Sequence, residues 1–206
     1  MRDQRAEALA KILVEYSCDV KEGEVCLVQG ETAGELLLLS LYEQVLRRGA
    51  YPVVELMMEG QSATFFRYAT DAQLDWVPPP AQWGAEEADS RLRVMADTNT
   101  RALSGIEPER QTRRQSAVRS LMETMMKRSA AGELRWALTL FPTQAYAAEA
   151  DMSLADYEDF FYRACLCDRP DPVAAWRKQS EETRRLAEWT TGKEEIRLEG
   201  PAPTSC

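Results

Sequence analysis

The 206-residue sequence contains no histidine. Ser-His-Asp and Cys-His nucleophilic chemistry, zincin motifs and nearly every catalytic zinc site need an imidazole as base or ligand, so those classes are excluded. Positive charge is also in short supply: 25 Lys and Arg against 34 Asp and Glu give a net charge of −9. Such a surface repels phosphate backbones and speaks against a nucleic acid partner. A long apolar run is missing as well. The most apolar stretch, residues 36–41, is broken by Ser40 and flanked by Glu35 and Glu43, whereas a membrane-spanning helix needs about 20 apolar residues. Residues 1–13 mix both charge signs without an apolar segment and do not read as a secretory signal. The five cysteines, Cys18, Cys26, Cys165, Cys167 and Cys206, are odd in number and scattered, which suits reduced thiols in a cytoplasmic setting. The C-x-C pair Cys165 and Cys167 has no second pair, so it reads as structural thiols rather than a metal site.

What is present fits one globular domain with a substantial core: 45% of residues are hydrophobic and 29% charged. Helical periodicity alternates with short apolar runs, the pattern of an α/β fold. A helix is expected from Arg5 to Tyr16, with Ala6, Leu9, Ile12, Leu13 and Tyr16 on one face. A buried strand follows from Val25 to Val28, ended by Gly30. Thr32 and Glu35 have capping-box spacing for a helix that carries Leu36, Leu37, Leu39, Leu41, Val45 and Leu46 and stops at Gly49. Tyr51 to Met57 reads as a second strand, with Pro52 marking an edge position.

A loop rich in proline and tryptophan, residues 75–84, precedes a third strand from Arg91 to Ala96. One helix is expected from Pro108 to about Arg128, a Gly132 stop, and a fourth strand from Leu134 to Leu140. Beyond Thr143 the pattern turns helical. Ser153 and Asp156 cap one helix through Cys165, Asp171 and Pro172 open another through Trp189, and a short strand is expected from Glu195 to Leu198. The strands should form a mainly parallel sheet with helices on both faces.

Few residues suggest chemistry. The turn from Gln29 to Gly34 lies where nucleotide-binding folds hold phosphate, but it lacks a middle glycine and a lysine, and Glu31 puts negative charge there. It reads as a tight turn and helix start. Asp151, Asp156, Glu158 and Asp159 could gather around a hard cation, yet beside a helix N-terminus they read as dipole-stabilising residues. Arg110, Arg113, Arg114 and Arg119 read as an exposed basic helix face. Met122, Met125 and Met126 read as core or interface filling. Trp76, Trp83 and Pro78 to Pro80 read as an aromatic loop that packs locally, gates a cavity or meets a partner.

Several blocks of the sequence carry a resemblance. Residues 134–143, which include the run Phe141-Pro142-Thr143, residues 148–160 with Met152-Ser153-Leu154 and Asp156 to Phe160, Asp171 to Trp176, and residues 186–201 resemble the thermophilic-type metalloaminopeptidases, the family of aminopeptidases T and S. Residues 8–30 and 49–54 match more loosely. The resemblance implies a Rossmann-like α/β N-terminal domain over residues 1–200 that helps wall the chamber of a cytoplasmic homodimer acting on peptides. It further implies a metal-binding half beyond this sequence, holding two divalent ions (zinc, cobalt or manganese) on Glu, His, Asp and Tyr ligands. No catalytic, cofactor-binding or metal-ligating residue carries over to the present chain, which on this reading needs no cofactor of its own and is inactive by itself. Alternatives are a stand-alone α/β ligand-binding or interaction module, and a half that complements a separately encoded catalytic domain.

The resemblance implies a Gly-Pro-Gly-Thr-Asp-Leu type of link after the last strand, where this sequence has Gly200-Pro201 and then Ala202 to Cys206. Writing Gly-Thr-Asp-Leu-Met as GGC ACC GAC CTC ATG C and deleting one G gives GCA CCG ACC TCA TGC, which encodes Ala-Pro-Thr-Ser-Cys. Residues 201–206 are therefore expected to be a frameshifted or truncated tail.

Overall fold

A computed structural model describes residues 3–197. The chain opens with α1 (Gln4–Ile12), whose first turn is capped by the Asp3 carboxylate accepting from the Arg5 N–H. The helix continues as one π-helical turn over Leu13–Ser17. Ala6, Leu9, Ile12 and Leu13 are buried as the apolar face requires. β1 (Val25–Glu31) is the central strand, and a 3-10 turn at Thr32–Gly34 leads into α2 (Glu35–Arg47). Gly49, with φ of +73°, ends α2 in the left-handed conformation that favours glycine. β2 (Tyr51–Met57) follows, then α3 (Gln61–Tyr68), α4 (Asp71–Asp75) and α5 (Pro79–Glu86).

The remaining elements are β3 (Ser90–Met95), α6 (Pro108–Ala117), α7 (Arg119–Ala130), β4 (Arg135–Leu140), α8 (Gln144–Glu149), α9 (Leu154–Ala164) and α10 (Pro172–Thr190). Their caps follow from sequence: Thr143, Ser153 and Asp171 each accept a backbone N–H in the first turn of the helix they precede.

The four strands are all parallel and ordered β2-β1-β3-β4. Cys26 lies opposite Pro52 on one side and Ser90 on the other, and Arg91 lies opposite Trp136. β2 is thus an edge strand, where Pro52 is tolerated. The main core forms on one sheet face, where Cys26, Val28, Leu92 and Val94 meet Leu9, Val14, Leu37, Leu41 and Val45. Tyr162 and Cys167, at and just beyond the end of α9, close this core, with Trp176 of α10 packed against it. A smaller cluster of Ala85, Met125 and Leu134 joins α5 and α7 over the other face.

Several expectations are corrected. Gly30 does not end β1; it lies inside the strand, because a Cβ there would sit 2.9 Å from the backbone oxygen of Val94 and from Leu38 Cδ2. The Thr32 capping box does not form: α2 starts after a 3-10 turn with no side-chain cap. Leu38 rather than Leu39 is buried, since the turn rotates the helix face; Leu39 and Leu46 are exposed. The proline-rich segment is largely helical, with Pro79 and Pro80 in the first turn of α5, where their missing N–H groups cost nothing. The single helix expected from Pro108 breaks at Val118 into α6 and α7.

Coverage of the sheet is partial at its two edges: Val53 of β2 and Trp136 and Leu138 of β4 are exposed on the second face, and Val54 and Leu56 of β2 on the first. No strand forms at residues 195–197, and Leu198 and the tail 201–206 lie outside the described residues. No described helix is long and apolar enough to cross a membrane.

Candidate functional site

The strand order dictates where a ligand could enter. From β1 the chain moves to β2 on one side and then crosses to β3 on the other, so the loops after β1 and β3 diverge and open a crevice at their C-terminal ends. A cavity of about 330 Å³ lies there, floored by Glu31 at the end of β1 and Thr32 after it, Met57 to Gly60 at the end of β2, and Ala96 to Asn99 after β3. Ser62, Ala63 and Arg67 of α3 form one wall.

The polar groups of this cavity are held in place by one another. Glu31 Oε2 accepts from the Ala96 N–H at 2.8 Å, and its other oxygen pairs with Arg93 on the neighbouring strand. Thr98 Oγ1 donates to Glu59 Oε1 at 2.5 Å. Tyr146 at the start of α8 donates its hydroxyl to Asp97 Oδ2 at 2.6 Å, while Thr143 Oγ1 donates to the Asp97 backbone oxygen at 2.6 Å. Burial and the Asp97 hydrogen bond hold the Tyr146 hydroxyl well above its usual titration range, so it stays a neutral donor. Arg67 makes no hydrogen bond or ion pair with any described residue.

The turn weighed as a phosphate loop does line this cavity, but its geometry opposes phosphate. The Glu31 carboxylate already occupies the Ala96 amide and adds negative charge beside Glu59 and Asp97. The acidic set near α9 is taken up by local contacts: Asp156 bonds Ser153, whereas Glu158 and Asp159 both pair with Arg5, at 2.8 and 3.1 Å.

The basic run is a solvated face only in part: Arg113 and Arg119 are exposed, but most of its arginines also hold a neighbouring segment. Arg110 donates to the backbone oxygens of Phe66 and Ala69, Arg113 pairs with Asp71 and Asp75, and Arg114 donates to the Leu74 and Trp76 oxygens, so three arginines of α6 fasten the α3–α4 segment. The cue available in sequence was the facing acidic pair Asp71 and Asp75. Of the methionines, Met125 is core while Met122 and Met126 are exposed. Cys165 and Cys167 are free thiols, both pushed up by burial.

A metal centre needs several convergent N, O or S donors, and two-metal centres hold their ions about 3.5–4 Å apart. Among the described residues no three His, Cys, Asp or Glu side chains gather in that way. Several carboxylates are committed to arginines instead, as Glu24 is to Arg135 and Glu31 to Arg93. These residues do not fit such a centre.

The sequence profile of the thermophilic metalloproteases (M29) matches residues 2–203. The chain belongs to this family. Its fold is similar to that of wild-type AmpT from Thermus thermophilus, with 18% identity and a TM-score of 0.72. The match covers 91% of this chain and 48% of that one, so the chain spans about half the length of that structure. No curated protein matches it in sequence. The M29 membership accords with the resemblance carried by residues 134–143 and 148–160, which are β4, the cap of α8, and α9.

Proposed function

We propose that residues 1–200 form the N-terminal, non-catalytic domain of a cytoplasmic metal-dependent aminopeptidase that removes N-terminal residues from peptides. The observation that carries this reading is the pairing of a family match along nearly the whole chain with a span of only 48% of the solved neighbour. The donor chemistry supports it, because the sequence has no histidine and, among the described residues, no three Cys, Asp or Glu side chains converge as a ligand set. Hydrolysis and its metal ions, zinc, cobalt or manganese, belong on this reading to a part of the protein other than this segment. The reduced thiols Cys18, Cys26, Cys165 and Cys167 support the cytoplasmic setting. Apolar side chains left open on β2 and α2, such as Leu56 and Leu46, support burial against further protein, including a second copy in a homodimer.

The purified chain should release no amino acid from aminoacyl-nitroanilides in the presence of zinc, cobalt or manganese. Metal-dependent turnover that elutes with this chain through gel filtration would overturn the reading. Light scattering on the same sample checks self-association.

A further inference from the structure

The crevice at the β1–β3 divergence has two walls of opposite electrical character. On the β3 side, Asp97 contributes a carboxylate whose Oδ2 is held by Tyr146 and whose Oδ1 has no hydrogen-bond partner among the described residues. The backbone of Asp97 is pinned as well, by Thr143 on its oxygen and Tyr146 on its N–H, so the carboxylate is fixed before any ligand arrives. Across the cavity stands the first turn of α3. That helix has no side-chain cap: the Gln61 N–H bonds the Met58 oxygen and the Thr64 N–H the Gly60 oxygen, which leaves the Ser62 and Ala63 N–H groups open to a ligand. The positive end of the helix dipole lies on this same wall, as does the guanidinium of Arg67, which has no partner among the described residues.

Between the walls, Ala33, Met57 and Met58 supply apolar surface. The volume of about 330 Å³ lies at the small end of the roughly 300–1,000 Å³ typical of ligand cavities.

We propose that this crevice binds a free α-amino acid as its zwitterion, with the ammonium on Asp97 Oδ1, the carboxylate on the first turn of α3 and Arg67, and an apolar side chain against Met57 and Met58. The assignment does not rest on the peptidase reading. A phosphate ligand is disfavoured by Glu31, Glu59 and Asp97. A bare amine leaves Arg67 and α3 unused, and a bare carboxylate leaves Asp97 facing a like charge.

Isothermal titration calorimetry of the 206-residue chain with L-leucine, leucinamide and N-acetyl-leucine tests the assignment. Leucine should bind, and each blocked analogue should bind at least about tenfold more weakly because it loses one pole. Asp97→Asn should weaken leucine by a similar factor. Arg67→Ala, which removes an exposed side chain with no partner among the described residues and so leaves the fold intact, should weaken leucine while leaving the residual affinity for leucinamide unchanged. Absence of leucine binding, equal binding of N-acetyl-leucine, or an unchanged affinity in Arg67→Ala would overturn the proposal.

Discussion

Trp176 Nε1 donates to the backbone oxygen of Cys165 at 2.8 Å while the Trp176 ring stacks on Tyr16 with centroids 5.9 Å apart. One side chain thereby ties α10 to the π-helical turn after α1 and closes the end of α9. Trp176→Ala should lower unfolding stability by about 2 kcal/mol, below the cost for a fully enclosed tryptophan because the ring is only half-buried. Trp176→Phe, which keeps a ring and loses the donor, should cost about 1 kcal/mol. Urea unfolding followed by circular dichroism checks both. Equal midpoints for wild type and Trp176→Ala would show that α10 is anchored elsewhere.

Gly30 gives a second test. An alanine Cβ at this penultimate residue of β1 would press on the Val94 oxygen and on Leu38 Cδ2, each 2.9 Å away. Gly30→Ala should destabilise by about 1–3 kcal/mol through overpacking. Gly105→Ala, at a site where nothing lies within 4 Å, is the control and should be close to neutral. A melting scan that fails to separate the two variants would refute the packing account.

Alkaline pH provides a third. Burial pushes the Cys18 thiol up to about 12 and the Cys26 thiol up to about 11, against an ordinary value of 9.0. The folded state therefore holds protons that the unfolded chain releases near 9.0. Their contribution is complete below that value and is lost as pH rises through about 11 to 12. Cys18→Ala should flatten the decline in denaturant midpoint above pH 9.0 relative to wild type. In the native protein at neutral pH, Cys18 and Cys26 should resist iodoacetamide until denaturant is added, as mass spectrometry of the peptides can show. Rapid alkylation of both in the native state would contradict the burial.

A polar chain crosses the second sheet face from β2 to β3: Glu55 accepts from Gln29 Nε2, and Gln29 Oε1 accepts from Arg91 Nε. Burial holds the Arg91 guanidinium below its usual range, although the Glu55 charge opposes the shift. Gln29→Leu removes the acceptor and should cost about 1–3 kcal/mol, since a half-buried cation loses its partner. A further Arg91→Leu substitution should recover part of that loss, and a double-mutant cycle measures it. Strict additivity of the two changes would show that the residues act independently.

Much of the fold was legible because the rules involved are local. The central strand around Val25 to Val28, the glycine stops at Gly49 and Gly132, and the caps at Ser153 and Asp171 follow from neighbours within a few residues. What escaped sequence reasoning depends on distant partners. Gly30 reads as a terminator until Val94 is seen beside it, and Arg110, Arg113 and Arg114 read as solvated until α4 packs against α6. α3 and α4 went unseen because neither carries a clear apolar stripe; of their residues only Leu74 is buried. The crevice was legible in part. The glycine-containing turn at its floor stood out, but Asp97, Tyr146 and Arg67 come from three separate segments with no common spacing.

The strand order also governs how the molecule comes into being. β1 is made first and pairs with both later neighbours, Leu27 meeting Val53 and then Arg91. On the ribosome it must wait, with both backbone edges unpaired, while each crossover is synthesised. α1 and α2 are the elements at hand to shelter its apolar side chains during that interval, and they pack against the same residues in the finished core. Pairings so distant along the chain carry a large loop-closure entropy, so refolding should proceed in milliseconds to seconds rather than at the microsecond pace of helical bundles. The same arrangement makes β1, central and protected at the end, the segment most exposed to mispairing at the beginning.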